Sequence, residues 1–321
     1  MQPIEFSQIE NFNVGHAQDL TAGTGCTVIL CKTGAVTGVD VRGGAPGTRE
    51  TDLLDPVNLV QQAHAVLLTG GSAFGLDAAA GVMAFLEERQ IGFDVQVTHV
   101  PIVCGAALFD LNVGDPQVRP DKYMGYQACV NARQDETSLG NMGAGTGASV
   151  GKLLGMDRAM KGGLGSFAFQ AGDLKVGALV AVNCLGDVLD PVTGKKRAGL
   201  LNEDRTAVDD TENQMVDALK AGSNLFAGNT SLGVIVTNAD LTKARAAKLA
   251  SMAHNGFART MRPAHSMFDG DTIFAMSCGT VAADLSVVGL MAARAMERAV
   301  VAAVEKTQSL FGLPACRDLT G

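Results

Sequence analysis

Four groups of residues in this 321-residue chain could do chemistry. Gly70-Gly71-Ser72-Ala73-Phe74 has the outline of an esterase nucleophile elbow, but Phe74 stands where that motif needs its second glycine. These glycines are better read as letting a helix N-terminus approach a strand closely. Gly145 to Lys152 has the outline of a phosphate loop. Thr146 replaces the glycine required five residues before Gly151, and Leu153 replaces the hydroxyl residue that would bind magnesium, so the nucleotide reading fails. The five histidines (16, 64, 99, 254 and 265) form no H-x-x-x-H pair, and most are read as structural. The fourth group, Gly228 to Gly279, is the most informative. Gly228-Asn229-Thr230-Ser231 opens directly into the apolar run Leu232 to Val236, and Asp269-Gly270-Asp271-Thr272 precedes a second, Ile273 to Met276. Taken singly, each is a turn entering a strand.

The elements that must position these residues follow from hydrophobic periodicity. Strands are expected at Cys26–Cys31, Val36–Val41, Val66–Thr69, Val95–Val97, Val176–Cys184 and Leu232–Thr237. Helices are expected at Asp55–His64, Ser72–Glu88, Val208–Ala221, Leu241–Ala258 and from Val281 to about Lys306. Asp55-Pro56 has the form of a cap followed by a first-turn proline, and Asp240 that of a cap for the next helix. Strands and helices are interspersed over the whole length with no repeat and no linker, so the class is α/β or α+β in a single domain, 1–321.

Composition narrows the function. Hydrophobic residues are 47% of the chain, ample for a large core, and 39 glycines point to tight turns and close backbone approaches. A net charge of −8, with Lys195-Lys196-Arg197 as the only basic run, argues against a nucleic-acid partner. No stretch approaches 18 uninterrupted apolar residues, so no membrane-spanning helix is expected. Met1 to Phe6 lacks the basic start and apolar run of a signal peptide. The seven cysteines are odd in number, without a C-x-x-C pair, and mostly lie in apolar segments. Reduced, buried thiols in a cytoplasmic protein are the expectation.

Together these segments resemble the DmpA-type aminopeptidases, a family that includes β-peptidyl aminopeptidases and the endo-type nylon-oligomer hydrolases. The resemblance spans nearly the whole chain. It rests on Gly70 to Leu76, Gly143 to Gly151 and Val182-Asn183, and most specifically on Asn229-Thr230-Ser231-Leu232 and the Arg262-Pro263 to Asp271-Thr272 segment. It implies a four-layer αββα sandwich of the N-terminal-nucleophile-hydrolase type, made as an inactive precursor. The precursor would cut itself between Asn229 and Thr230 into an α-like chain, 1–229, and a β-like chain, 230–321. Tetramers of such units are common in the family.

The chemistry fits the residue types. A threonine hydroxyl needs a base, and a free α-amine, with a pKa near ~7.7–8.0, can be that base on the same residue. Cutting before Thr230 would create the base as well as the terminus. Carried over residue by residue, the resemblance makes Asp269 and Asp271 an acidic pair beside the nucleophile, one orienting its hydroxyl and the other its amine. It makes Lys152 a positive charge favouring the deprotonated nucleophile, and Asn183 a side-chain donor to the oxyanion. No metal or cofactor is implied. Many aminopeptidases of the family have a serine nucleophile and a Ser/Glu combination where Asp269 and Asp271 stand. The departure leans towards amide hydrolysis of the nylon-oligomer type, on a small amide or peptide substrate. The rival readings are an uncleaved homologue that binds a small ligand or serves as an oligomeric scaffold, and a nucleotide-binding protein using the Gly143 to Lys152 loop.

Overall fold

A computed structural model describes residues 1–220 and 228–319. Its frame is one ten-stranded sheet. In chain order the strands are β1 (Gln2–Ile4), β2 (Asn13–Asp19), β3 (Thr24–Val41), β4 (Thr48–Arg49), β5 (Gln62–Thr69), β6 (Val103–Ala107), β7 (Gly163–Ala171), β8 (Leu174–Val182), β9 (Leu232–Ala239) and β10 (Thr272–Val281). They lie in the order β1-β7-β8-β9-β10-β3-β5-β6-β4, with β2 paired to β3. The pairs β9–β10 and β5–β6 are parallel; the other neighbours are antiparallel.

The sheet folds into two layers because β3 belongs to both. Its first half, Thr24 to Leu30, pairs with β2 and β5, and its second half, Val36 to Val41, pairs with β10. Side-chain alternation assigns every central strand two buried faces. In β8, Val176, Ala178, Val180 and Val182 join the outer core under two helices, α4 (Lys243–Thr260) and α5 (Leu285–Glu305), whereas Leu179 and Ala181 join a core between the layers. In β3, Cys26, Val28 and Leu30 face α1 (Ala78–Glu87) and α2 (Lys122–Val130), while Ile29 and Cys31 face the inner core. Three cores separate four layers, helix–sheet–sheet–helix. A further helix, α3, spans Thr211–Lys220.

Several elements differ from the sequence expectation. Residues 55–64 are not a helix: Asp55 Oδ1 accepts from Val57 N at 3.1 Å in a turn, and from Gln62 the chain joins β5. Val95 to Val97 lie in the turn of a small hairpin between Phe93–Asp94 and His99–Val100, closed by Val95 N on Thr98 O at 3.0 Å. The helix expected from Val281 starts at Leu285, because β10 runs to Val281 and Asp284 caps the helix by accepting from Ser286 N. Thr242 rather than Asp240 caps α4. The helix expected from Ser72 begins as six residues of 3-10 helix, Ser72–Asp77, before α1. Residue 221, the expected end of the helix at 208–221, lies outside the described residues. All seven cysteines are free thiols, five of them buried. Among the described residues no helix is long and apolar enough to cross a membrane.

Candidate active site

The start of β9 and the start of β10 lie side by side, and the register explains what meets there. Leu232 pairs with Thr272 in the parallel ladder and with Ala181 in the antiparallel one. Continued by two residues, the first ladder brings Gly270 opposite Thr230 and the second brings Asn183 opposite it. Thr230 N accordingly donates to Asn183 O at 3.2 Å. Gly270 presses on the other side: a Cβ there would fall 2.5 Å from Thr230 Oγ1 and 2.7 Å from Ala45 O. Thr230 is only 3% exposed, and its hydroxyl donates to the carbonyl oxygen of Asn229, the residue before it.

All the residues expected at the site converge here. Lys152 follows Gly151, whose φ of +71° turns the chain so that Gly151 N and Lys152 N donate to Gly186 O and Leu185 O, each at 3.0 Å. The Lys152 Nζ then reaches Asn183, donating to its O at 3.0 Å and its Oδ1 at 2.9 Å. Ser149 N also donates to Asn183 Oδ1, and Asn183 Nδ2 donates to Phe109 O at 3.0 Å. Burial pulls the Lys152 amine down to about 8 against the attraction of nearby acidic groups. Asp269 and Asp271 flank Gly270. Burial, reinforced by the charge of Asp271, lifts Asp269 to about 6. Cys184, beside Asp269 and Lys152, is pushed well above the usual thiol range by burial.

Sequence reasoning passed over four groups here. Asp271 Oδ1 accepts from Ser231 N at 2.8 Å, and its Oδ2 lies 3.0 Å from both His265 N and His265 Nδ1. Ser266 donates to Asp269 Oδ2 through its N at 3.0 Å and through its hydroxyl. Phe109 lies over Gly228 and receives the Asn183 amide. Polar residues three to six positions before an acidic pair were the signal available for His265 and Ser266.

The glycine-rich stretches serve as bracing. Asp110 is buried where Gly70 and Gly147 leave no room for a side chain; it accepts from Gly71 N at 2.6 Å and Thr24 Oγ1 at 2.8 Å. Lys161 donates to Gly145 O, Ala148 O and Gly162 O at 2.7–2.9 Å, closing the loop expected to mimic a phosphate site. Ser72, at φ +55°, lies at the edge of this brace and lines a cavity of about 330 Å³. Ala73, Ala107, Phe109 and Phe268 contribute apolar wall, and Asn229 and Thr230 lie at one side. The nucleophile candidate thus borders a largely apolar hollow while its hydroxyl sits against a peptide carbonyl.

Four layers, helix–sheet–sheet–helix, built on one ten-stranded sheet define the fold class. The fold is that of the Ntn hydrolases. It matches the L-aminopeptidase D-Ala-esterase/amidase of Ochrobactrum anthropi, a variant of the Ntn-hydrolase fold, with a TM-score of 0.71 at 18% identity, over 94% of this chain and 86% of that one. A Burkholderia β-aminopeptidase matches with a TM-score of 0.65 at 19% identity, over 95% and 88%. In sequence, an uncharacterized aminopeptidase of Mycobacterium tuberculosis is 42% identical over 98% of this chain and 97% of its own. A 6-aminohexanoate-oligomer endohydrolase of a Kocuria species is 32% identical over 83% of this chain and 72% of its own. Peptidase family S58 matches residues 6–315, and the chain belongs to this family of hydrolases acting on peptide or amide bonds.

Proposed function

We propose that the chain is a precursor that cuts itself between Asn229 and Thr230, and that Thr230, freed as the N-terminus of 230–321, is the nucleophile for small peptides or oligoamides. The observation that carries this reading is the Thr230 hydroxyl seated against the Asn229 carbonyl. In the cut, Thr230 Oγ1 attacks the Asn229 carbonyl carbon and loses its proton to a neighbouring base. The base returns this proton to the Thr230 nitrogen as the C–N bond breaks, the acyl group passes to oxygen as an ester, and water hydrolyses that ester. The products are an Asn229 carboxylate and a Thr230 α-amine. In the mature enzyme this amine takes the Oγ1 proton, and the substrate acyl group replaces Asn229 on Thr230.

Asn183 has one amide hydrogen on Phe109 O, and its second is the donor assigned to the oxyanion. The Lys152 charge, held on Asn183, favours developing negative charge at both steps. The apolar lining of the cavity suits an aliphatic or otherwise uncharged acyl group. Both an aminopeptidase and an oligoamide endohydrolase stand among the relatives, and the Thr230–Asp269–Asp271 combination favours the second type of amide. Assembly as a tetramer of processed units in the cytoplasm completes the reading.

Denaturing mass spectrometry of freshly purified protein tests it. Two species summing to the precursor plus one water, the smaller beginning at Thr230, are expected. Thr230→Ala should stay whole and folded, and Thr230→Ser should retain cutting. A Thr230→Ala chain that is cut normally would move the nucleophile elsewhere.

A further inference from the structure

Two neighbouring residues hold the acidic pair, one carboxylate each. His265 brings two nitrogens within 3.0 Å of Asp271 Oδ2, and the other Asp271 oxygen takes Ser231 N at 2.8 Å. Both oxygens are therefore engaged, and one of them grips the backbone immediately after the nucleophile. An acceptor-only carboxylate requires the proton on His265 Nδ1. The imidazole packs edge-on against His254 of α4, with centroids 4.8 Å apart, and its backbone sits at φ +58°, which L residues rarely adopt. Ser266 puts both its donors on Asp269 Oδ2. Asp269 Oδ1 is buried and has no hydrogen-bond partner among the described residues.

We propose that His265 and Ser266 divide the pair between two tasks. His265 fixes Asp271 as the anchor of the backbone beside Thr230, and Ser266 fixes Asp269 with one oxygen left to accept the proton of the Thr230 hydroxyl during the cut, before the amine exists. This rests on the reading of Thr230 as nucleophile. In the reverse assignment the proton would go to a carboxylate that already holds three N–H donors, whereas Asp269 has one oxygen with none. Burial and the charge of Asp271 hold Asp269 near the range suited to a base at neutral pH. His265 and Ser266 are positioning residues: each acts through its own carboxylate.

Nested substitutions test the division, read as the rate of self-cleavage of full-length chain made by cell-free translation and desalted into assay buffer. Slow variants are followed over days. Ser266→Ala should slow cleavage about tenfold in the wild-type background, the effect of losing a hydrogen bond to a charged group. It should change the rate less than about twofold in an Asp269→Asn background, where its target is gone. His265→Ala should behave in the same way towards Asp271→Asn. The crossed pairs, Ser266→Ala with Asp271→Asn and His265→Ala with Asp269→Asn, should multiply. Ser266→Thr and His265→Asn keep a donor, and asparagine tolerates the left-handed backbone, so both should recover most of the rate. Factors that multiply within each pair as they do across pairs, or no recovery with the conservative variants, would overturn the proposal by marking a merely structural turn. Wild-type cleavage of the Thr230→Ala chain would instead sink the nucleophile reading, and this inference with it.

Discussion

Thr230 is crowded on purpose, and the crowding can be perturbed one atom at a time. Gly270→Ala would place a methyl 2.5 Å from Thr230 Oγ1 and 2.7 Å from Ala45 O, where backbone cannot retreat freely. A displacement of the hydroxyl by about 1 Å can cost about 100-fold in rate. Gly270→Ala should therefore slow self-cleavage at least tenfold, roughly, as read by band ratio against time. The pH profile of self-cleavage is equally specific, because the uncut chain has no free amine at Thr230. Asp269 must be ionised to accept a proton and sits at about 6; Lys152 must be protonated to supply charge and sits at about 8. The rate should rise through the first value and fall through the second, and Lys152→Met should abolish the alkaline fall at a lower overall rate. The same Asp269 shift links to stability. The folded chain holds this proton more tightly than the unfolded one, so its contribution is full below 3.8 and lost as pH rises through about 6. Thr230, Asp269 and Asp271 were legible through the resemblance carried by Asn229-Thr230-Ser231-Leu232 and the Arg262-Pro263 to Asp271-Thr272 segment, since each alone reads as a turn entering a strand. His265 was not, because an isolated histidine has no spacing pattern and its meaning comes only from Asp271, six residues away and folded back on it.

At the scale of elements, legibility followed apolar runs. Leu232–Thr237 and Ile273–Met276 lie within β9 and β10, and the C-terminal helix, though it starts at Leu285, buries Val288, Ala292, Met296 and Val300 along one face. β3 looked like two strands because Lys32-Thr33-Gly34 interrupts its apolar pattern. The chain nevertheless continues extended through that break, with an irregularity in its pairing to β5 between Leu30 and Ala35. β7 was missed because Gly163, Gly165 and Ser166 dilute its pattern; Gly165 has α5 backbone where a side chain would be. The packing of α4 on α5 permits a prediction in which two effects compete. Gly256→Ala in α4 gains about 1 kcal/mol of helix propensity. The new Cβ would stand 2.6 Å from Met296 Cβ and 2.8 Å from Ala293 O, both on α5. Over-packing costs about 1–3 kcal/mol, so the variant should melt at lower temperature than the parent despite its better helix former.

At the scale of the molecule, the proposed cut divides the chain but not the fold. The 230–321 portion contributes β9, α4, β10 and α5. Its strands are interior: β9 lies between β8 and β10, and β10 between β9 and β3. Its helices cover the outer core shared with β7 and β8. Separating the two pieces would open both ladders and that core together, so native mass spectrometry of processed protein should find 1–229 and 230–321 only as a complex. Denaturant should release them in one step with loss of structure. The four-layer class was legible in the sequence only through family resemblance, since periodicity shows that strands are buried on both faces without showing what covers them.

Thr230 stands two residues ahead of the point where two ladders meet at Leu232, with its N–H on Asn183 and Gly270 against its hydroxyl. Neither ladder exists in an unfolded chain, so the proposed attack is open only to a molecule that has assembled its centre. Folding can be undone, whereas hydrolysis of a peptide bond in water is not reversed. The fraction of divided chains in a sample is then a history: it accumulates the time that its molecules have spent native. A weakened variant that is folded only a small part of the time would still drift towards complete division. Its age as well as its stability would be written in the ratio of two masses.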